Sequence, residues 1–319
     1  MRSRSKKALI VAVCLLAAAG LIFVGVRGCA LMPWNKTASA GEARVTITRD
    51  FGRKPIKDAT VAVKSGQSAM DLLKRVADVR TEYGGGFVAS IEGISSESGG
   101  AGTSDWFYYV NGILAGSGAV SYAARPGDSI WWDYHSWSRD GLAAAAVGSY
   151  PMPFTRGVTA ARGRSLVVYG QGMEGVARGV GAHLAGKGAA VTYSSDVAGF
   201  SRGRGPVIVF LTTAEASRTP WVAALLAAGS KSGSFLALDG ERLVALDAWG
   251  KPAAGGAALS AAIVSTASGI GDASPVWLVL CANDEGVPRA VGLLTAGSGL
   301  QRRFGAAVDE GGRVLSLPR

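Results

Sequence analysis

The chain has 319 residues, of which 48% are hydrophobic, and a formal net charge of +10. Its first 36 residues hold six Lys or Arg and no acidic residue, so the remaining 27 basic and 23 acidic residues leave a net charge of only +4. No basic run remains that could displace counterions from a phosphate backbone, and this excludes nucleic acid as an expected partner.

The residue types that usually carry enzyme chemistry are scarce. The chain has three cysteines and two histidines, His135 and His183, and their spacing is typical of neither a zinc site nor a disulfide framework. The sequence contains no Gly-x-Ser-x-Gly nucleophile motif and no paired-carboxylate motif. We therefore expect a protein that is not an enzyme, with no catalytic residues and no metal site.

The N-terminal segment has the pattern of a membrane anchor. Four basic residues precede an uncharged apolar run over residues 8–26. At about 1.5 Å rise per residue this run nearly spans a hydrocarbon core of roughly 30 Å, and it exceeds the apolar stretch of about 7 to 15 residues in a cleaved signal peptide. We predict a single-pass transmembrane helix within residues 1–28. Because the positive charges precede it, the N-terminus should be cytoplasmic and the bulk of the chain extracytoplasmic.

Cys29 follows the apolar run and raises the alternative of a lipoprotein. Bacterial lipidation uses a Cys just after a hydrophobic segment, with a small uncharged residue two positions earlier, where this chain has Arg27. We therefore expect a retained helix rather than a lipid anchor. Residues 29–42 are predicted to form a stalk.

Residues 43–138 are predicted to form a small β-rich α+β domain with several strands and one helix. The apolar residues of the helix, from Ala69 to Val76, follow the i, i+3, i+4, i+7 spacing of one helix face, and Ser68 with Asp71 resembles a capping box. The expected strands and tight turns lie at 43–48, 60–64, 87–91, 111–112 and 125–128, with a Ser- and Gly-rich loop at 95–104.

Nine of the 25 aromatic side chains fall within residues 105–137. Successive strand residues point to opposite faces, so Trp106 and Tyr108 share one face while Phe107 and Tyr109 share the other. The run from Trp131 to Trp137 alternates in the same way, and neither face of either run is plainly polar. We expect both faces to be covered, one by core and the other by a ligand, a partner or another domain. Aromatic density alone favours core packing over a binding site.

After a predicted linker at 139–163, residues 164–319 are predicted to form an α/β Rossmann-like domain. Strand-like runs alternate with Ala-rich helical stretches at 173–186 and 219–229, a pattern that favours a parallel sheet covered on both sides. The strand-like runs lie at 165–169, 189–193, 206–211, 235–238 and 276–281.

A Gly-x-Gly-x-x-Gly motif opens the first helix of this second domain. It comprises Gly170, Gly172 and Gly175, and Asp196 lies twenty-one residues after the last glycine, as in a dinucleotide fingerprint. Because 46 of the 319 residues are glycine, three at this spacing should arise by chance roughly once in such a chain. We therefore interpret the motif as part of a Rossmann-like scaffold rather than as a nucleotide site.

An ordered set of motifs resembles the transcobalamin-like C-terminal domain of bacteria, which is similar to the β-domain of transcobalamin and intrinsic factor. The resemblance covers about residues 43–138, under a third of the chain. The motifs that carry it are Ser65-Gly-Gln-Ser-Ala-Met-Asp-Leu-Leu73, Tyr83-Gly-Gly-Gly-Phe87, Asp105-Trp-Phe-Tyr-Tyr-Val-Asn-Gly112 and Pro126-Gly-Asp128 ending in Trp137.

The resemblance implies that this protein binds cobalamin or a related corrinoid, a large apolar ring edged by amides that Tyr and Trp side chains can satisfy. The animal carriers close this domain over a ligand held by a helical barrel. This chain has no such barrel, so the second domain, a partner or the mouth of an energy-coupling-factor type importer would complete the enclosure. The expected ligand contacts are Trp106, Tyr108, Tyr122, Trp132, Tyr134 and Trp137.

Two other functions stay open. The same aromatic side chains are compatible with a cell-envelope interaction module that binds protein or polysaccharide. The second domain is compatible with an extracytoplasmic nucleotide-binding enzyme that uses the glycine motif.

Overall fold

The computed structural model describes residues 41–99, 102–137, 142–157, 164–254 and 256–319. Residues 40–319 form one compact unit. The predicted anchor, stalk and Cys29 lie outside the described residues. Among the helices in these ranges, none combines the length and apolarity needed to cross a membrane.

The first sheet contains six strands and corresponds to the predicted α+β region. Its order is β2-β1-β9-β7-β6, and β8 pairs with β7. The pair β1 and β9 is parallel, whereas the other neighbouring strands run antiparallel. A separate antiparallel sheet has the order β3-β4-β5. The strands of these two sheets are β1 (Gly41–Arg49), β2 (Lys54–Val63), β3 (Val79–Glu82), β4 (Phe87–Ile91), β5 (Ile94–Ser95), β6 (Glu97–Gly99), β7 (Gly102–Val110), β8 (Ile113–Leu114) and β9 (Ser129–Trp137).

Helix α1 (Ala69–Val76) begins where the sequence predicts. The Ser68 hydroxyl accepts a hydrogen bond from the Asp71 backbone N–H at 3.1 Å, and the Asp71 carboxylate accepts one from the Ser68 backbone N–H at 2.8 Å, which confirms the capping box. The buried side chains of the helix, including Leu72 and Leu73, pack in one cluster with β1 and β2.

The second sheet has seven strands in the order β11-β10-β12-β16-β15-β17-β18. The four strands from β11 to β16 are parallel, and β15, β17 and β18 extend the sheet in antiparallel fashion. The prediction of a parallel sheet is thus confirmed for only part of it. The strands are β10 (Arg164–Tyr169), β11 (Ala190–Ser194), β12 (Val207–Thr212), β15 (Leu259–Thr266), β16 (Val276–Cys281), β17 (Gly305–Asp309) and β18 (Val314–Leu317).

The predicted strand at 235–238 does not belong to this sheet. It forms β13 (Leu236–Asp239), which pairs only with β14 (Arg242–Ala245) in a two-stranded antiparallel hairpin. Residues 239–242 form a tight turn, so the chain reverses direction there and β14 pairs with β13 instead of with the main sheet. This hairpin lies against the second sheet rather than within it.

Helices cover both faces of the second sheet. Side chains of α2 (Glu174–Gly186) and α5 (Gly286–Ala296) pack on one face, in a cluster with Val167 and Phe210. Side chains of α3 (Thr213–Arg218) and α4 (Pro220–Ala227) pack on the other, in a cluster with Val209. The sheet is therefore buried on both sides, as its continuous apolar strands predict.

The paired strands β7 and β9 carry aromatic side chains on two faces. We call Trp106, Tyr108, Trp132 and Tyr134 the aromatic face, and Phe107, Tyr109, Trp131, His135 and Trp137 the inner face. Tyr109 and Trp131 of the inner face are buried in the same cluster as residues of the second sheet, and Phe107 packs against it. The two predicted domains therefore share one hydrophobic cluster. Ala143 to Val147, in the predicted linker, are buried as well.

A buried carboxylate organises the inner face. Asp133 accepts hydrogen bonds from the backbone N–H groups of Phe51 at 3.0 Å and Gly52 at 2.8 Å, and from the Thr48 hydroxyl. Its Oδ1 also lies 2.8 Å from Nδ1 of His135. These bonds hold the turn after β1 so that the Phe51 ring stacks on His135, with 4.4 Å between ring centroids. A buried carboxylate needs such partners because burying an unpaired charge is costly.

Phe304 joins the two sheets, and its loss should destabilise both together. Its buried ring lies 5.2 Å from Phe51, 5.3 Å from Tyr109 and 4.9 Å from Trp131, measured between centroids. We expect Phe304→Ala to lower the free energy of unfolding by about 3–5 kcal/mol in one transition, because it leaves a cavity between the sheets. Urea unfolding followed by tryptophan fluorescence measures this. The exposed Ile270→Ala is the control and should change it by less than about 0.5 kcal/mol. Two separate transitions, with only one affected, would contradict a shared core.

Candidate binding surface

The aromatic face consists of two directly opposed pairs across β7 and β9. Trp106 is opposite Tyr134, and Tyr108 is opposite Trp132. The Tyr108 and Trp132 rings are stacked with centroids 4.9 Å apart, and the Trp106 and Tyr134 rings are tilted with centroids 5.3 Å apart. Trp106, Tyr108 and Tyr134 are half-buried, whereas Trp132 is buried. The four rings therefore form one aromatic surface of which three rings are partly accessible.

Two flanking segments fix the orientation of these rings. The Trp106 indole N–H donates to the Ile94 carbonyl oxygen at 2.8 Å, which ties β7 to β5. The Tyr108 hydroxyl donates to the Ser117 carbonyl oxygen. Burial raises the pKa of Tyr108, and the hydrogen bond to Ser117 offsets part of that effect. Tyr108 is therefore a neutral hydroxyl at physiological pH, with its ring held in place.

Trp132 carries a buried donor that lacks an acceptor within the described structure. Its side chain is 3% exposed, and its indole N–H makes no hydrogen bond there. A buried polar group without a partner costs about 1–3 kcal/mol, and such groups are uncommon in folded proteins. An acceptor that reached this indole would recover that cost.

Tyr122 lies beside the aromatic face but is part of a structural network. Its hydroxyl donates to Asp128 Oδ2 at 2.9 Å and accepts from Arg125 at 3.0 Å. The buried Asp128 also accepts from Asn111 Nδ2 at 3.1 Å and from the Arg125 backbone N–H at 2.9 Å. Burial, followed by the Asp128 charge, raises the pKa of Tyr122. The Tyr122 ring packs against the same hydrophobic cluster as Trp106 and Tyr108, so Tyr122 contributes to the packing of the aromatic face.

Trp137 is separated from the other predicted contacts. It belongs to the inner face, where its ring lies edge-on to Phe107 with centroids 6.2 Å apart. Its indole N–H donates to Asp105 Oδ2 at 2.7 Å. The structure thus brings together Trp106, Tyr108, Trp132 and Tyr134, and places Trp137 on the opposite side of the strand pair because strand residues alternate.

The exposed aromatic residues Tyr83 and Phe87 were not among the predicted contacts. Tyr83 is 86% exposed and Phe87 is 46% exposed, and their rings lie edge-on with centroids 6.2 Å apart. Tyr83 has a positive φ of 51°, and Gly84 and Gly85 continue the left-handed turn. The three consecutive glycines are the sequence signal for this turn, since they permit a backbone that other residues rarely adopt.

The glycine motif lies where a dinucleotide fingerprint would, between β10 and α2. However, the Glu215 carboxylate of α3 fills the space above Gly170 and accepts a hydrogen bond from the Gln171 backbone N–H at 3.1 Å. In a nucleotide site, that N–H would serve a phosphate. Asp196 accepts from the Gly199 backbone N–H at 2.7 Å and thereby closes its own turn. The anion position at this helix start is thus occupied by the chain's own carboxylate.

A metal site and a reactive thiol each place requirements on the described residues. There, no three His, Cys, Asp or Glu side chains lie close enough together to hold a metal ion. Cys281 is a free, buried thiol, and burial raises its pKa to about 12, so it stays protonated at neutral pH.

The glycines of the motif provide a matched test of the Glu215 contact. Gly170→Ala should lower the free energy of unfolding by about 1–3 kcal/mol, because its Cβ would lie 1.7 Å from Glu215 Oε2 and would break the charge-assisted bond to Gln171. Gly175→Ala meets nothing within 4 Å and should be neutral or stabilising by up to about 1 kcal/mol. Thermal unfolding measures both. The pair Gly170→Ala and Glu215→Ala should be less than additive. Equal effects of the two glycine changes would contradict this geometry.

Comparison with known proteins identifies one family in the chain. Residues 66–136 match a family described as a domain of unknown function (DUF4430). The matched stretch is less than a quarter of the 319 residues. No curated protein matches the chain. A solved structure of a candidate metal binding protein from Ruminococcus gnavus ATCC 29149 is similar at 12% identity and a TM-score of 0.24, covering 31% of this chain and 99% of that one. Residues 66–136, which include α1, β7 and most of β9, therefore form a DUF4430 domain.

Proposed function

We propose that this protein binds cobalamin or a related corrinoid through the aromatic face and acts in corrinoid capture or uptake. The observation that carries the proposal is the group of three half-buried rings, Trp106, Tyr108 and Tyr134, on the same face as Trp132, whose buried indole N–H has no acceptor among the described residues. A corrinoid presents a flat apolar ring to such a surface and amide oxygens at its edge, one of which would accept from the Trp132 indole. The resemblance of these motifs to the transcobalamin-like C-terminal domain supports the same ligand.

The aromatic face needs a second surface to enclose a corrinoid. Residues of the second sheet share a hydrophobic cluster with the inner face. In contrast, the described residues that pack around the aromatic face all come from the first part of the chain, between Ala43 and Trp132. Residues 164–319 therefore pack on the inner face of the β7–β9 pair, opposite the aromatic face. In this proposal a partner such as an energy-coupling-factor type importer supplies the second wall of the corrinoid site. The predicted N-terminal anchor holds the protein beside this partner, on the extracytoplasmic surface of the cell membrane.

A second candidate function is a cell-envelope interaction module. Tyr83 and Phe87 favour it, because an aromatic pair displayed on a glycine turn resembles the exposed anchor of a protein–protein contact. This turn is separate from the four residues of the aromatic face, so variants distinguish the two functions. We do not propose a nucleotide-using enzyme, because a phosphate would be repelled by Glu215 at the glycine motif.

Titration of the full chain in detergent with aquacobalamin and with cobinamide tests the proposal. We expect saturable binding that Trp106→Ala and Tyr134→Ala each weaken by about 2 kcal/mol, roughly 30-fold in Kd, with little change in Tm, because both rings are only half-buried.

Two aromatic variants are the controls. Trp137→Ala, on the inner face, and Tyr83→Ala, on the glycine turn, should leave the corrinoid Kd unchanged. Absence of corrinoid binding by the unchanged protein would contradict the proposal. If Tyr83→Ala instead abolished capture of an envelope protein without any corrinoid binding, the interaction module would be favoured.

A further inference from the structure

A groove runs along the β13–β14 hairpin, away from both the aromatic face and the glycine motif. It consists of two adjoining cavities of about 500 and 450 Å³ that share Arg242, Val244 and Pro252 in their walls. Ligand pockets commonly have volumes of about 300–1,000 Å³, so each cavity is large enough for one or two sugar rings and together they suit an extended ligand. We call this feature the hairpin groove.

Trp249 is presented at one end of the hairpin groove on a preorganised turn. Its side chain is 51% exposed. The Asp247 carboxylate accepts hydrogen bonds from the backbone N–H groups of Trp249 and Lys251, both at 2.9 Å, and the Asp247 carbonyl oxygen accepts from the Gly250 N–H at 3.1 Å. These bonds fix the backbone that carries the indole before any ligand arrives, which lowers the entropic cost of binding.

The charged side chains that line the hairpin groove are mainly basic. Asp239 is the one acidic residue among its lining side chains, against four basic residues, Lys231, Arg242, Arg313 and Arg319. Arg242 is paired with Asp239 at 2.6 Å, and Arg313 with Asp309 at 3.1 Å, whereas Lys231 and Arg319 have no ion pair among the described residues. The groove therefore attracts an anionic ligand, and its guanidinium groups suit planar carboxylates.

Part of the lining of the hairpin groove is apolar. It includes Ala237, Val244, Leu246 and Pro252. A hexuronate chain combines the matching features, since each ring has a C–H face that can lie on an indole or an aliphatic surface and a carboxylate at its edge. A single-stranded nucleic acid would need an aromatic side chain for each of several successive bases, and Trp249 is the one aromatic residue in the lining.

We propose that the hairpin groove binds an acidic saccharide chain, with Trp249 stacking on a sugar ring and Arg242, Arg313 and Arg319 contacting its carboxylates. This site shares no residue with the proposed corrinoid surface. Binding here would hold the second region of the protein to an anionic polysaccharide.

Calorimetric titration of the full chain with tetragalacturonate tests the site, with neutral maltotetraose and an oligodeoxythymidylate as comparison ligands. We expect Trp249→Ala to weaken tetragalacturonate binding about 10-fold or more, as at a binding hot spot. Arg242→Gln should weaken it several-fold, and raising the salt from about 0.05 to 0.5 M should weaken it further by screening the charges.

Matched variants outside the groove control for exposure and charge. Ile270→Ala removes an apolar side chain that is 59% exposed, and Arg178→Gln removes a guanidinium that is likewise exposed and paired, with Glu174. Both should leave the affinity unchanged. The proposal is overturned if tetragalacturonate does not bind, if Trp249→Ala binds it as the unchanged protein does, or if maltotetraose binds equally well. Tighter binding of the oligodeoxythymidylate would overturn it in favour of nucleic acid.

Discussion

The structure depends on the alternation of side chains along the strand pair β7 and β9. Successive residues of a strand point to opposite sides. A pair of strands with aromatic residues at consecutive positions therefore presents two aromatic faces, and each must pack against other residues or a partner. The chain meets this requirement differently on each side. The inner face is sealed by Phe304 and the second sheet around the buried Asp133, whereas the aromatic face is only partly covered by α1 and the segment near Ser117.

In the proposed function, this division separates stability from binding. Tyr109, Trp131 and His135 of the inner face are buried, so their removal acts on the stability of the folded state. The half-buried residues of the aromatic face, such as Trp106 and Tyr108, pack against the cluster that includes α1, β1 and β2 side chains, and in the proposed function their accessible surface contacts the ligand. A rigid sheet with its binding side chains on one surface keeps them oriented at little entropic cost, which is the advantage of preorganisation. The glycine turn with Tyr83 and the hairpin groove are further surfaces on the same support.

The sequence predicts much of the local structure but little of how distant segments meet. Capping at Ser68 and the run at 276–281 correctly locate α1 and β16, because each has a strong local signal. Strand β15 is buried along its whole length and begins with Leu-Ser-Ala-Ala, so no alternation of polar and apolar residues marks it. The contact between Glu215 and Gly170 joins residues far apart in the chain and has no local signal.

The same limit applies to the candidate site. Period-two alternation correctly pairs Trp106 with Tyr108, whereas the resemblance adds Trp137 for its position at the end of the domain, and Trp137 lies on the other face. Hydroxyl-radical footprinting with and without cobinamide tests the central claim, with oxidation of Trp249 as the internal reference for scavenging. The account predicts that oxidation of Trp106 and Tyr134 falls relative to Trp249 while that of Trp137 does not. Protection of Trp137, or no protection of Trp106 and Tyr134, would contradict it.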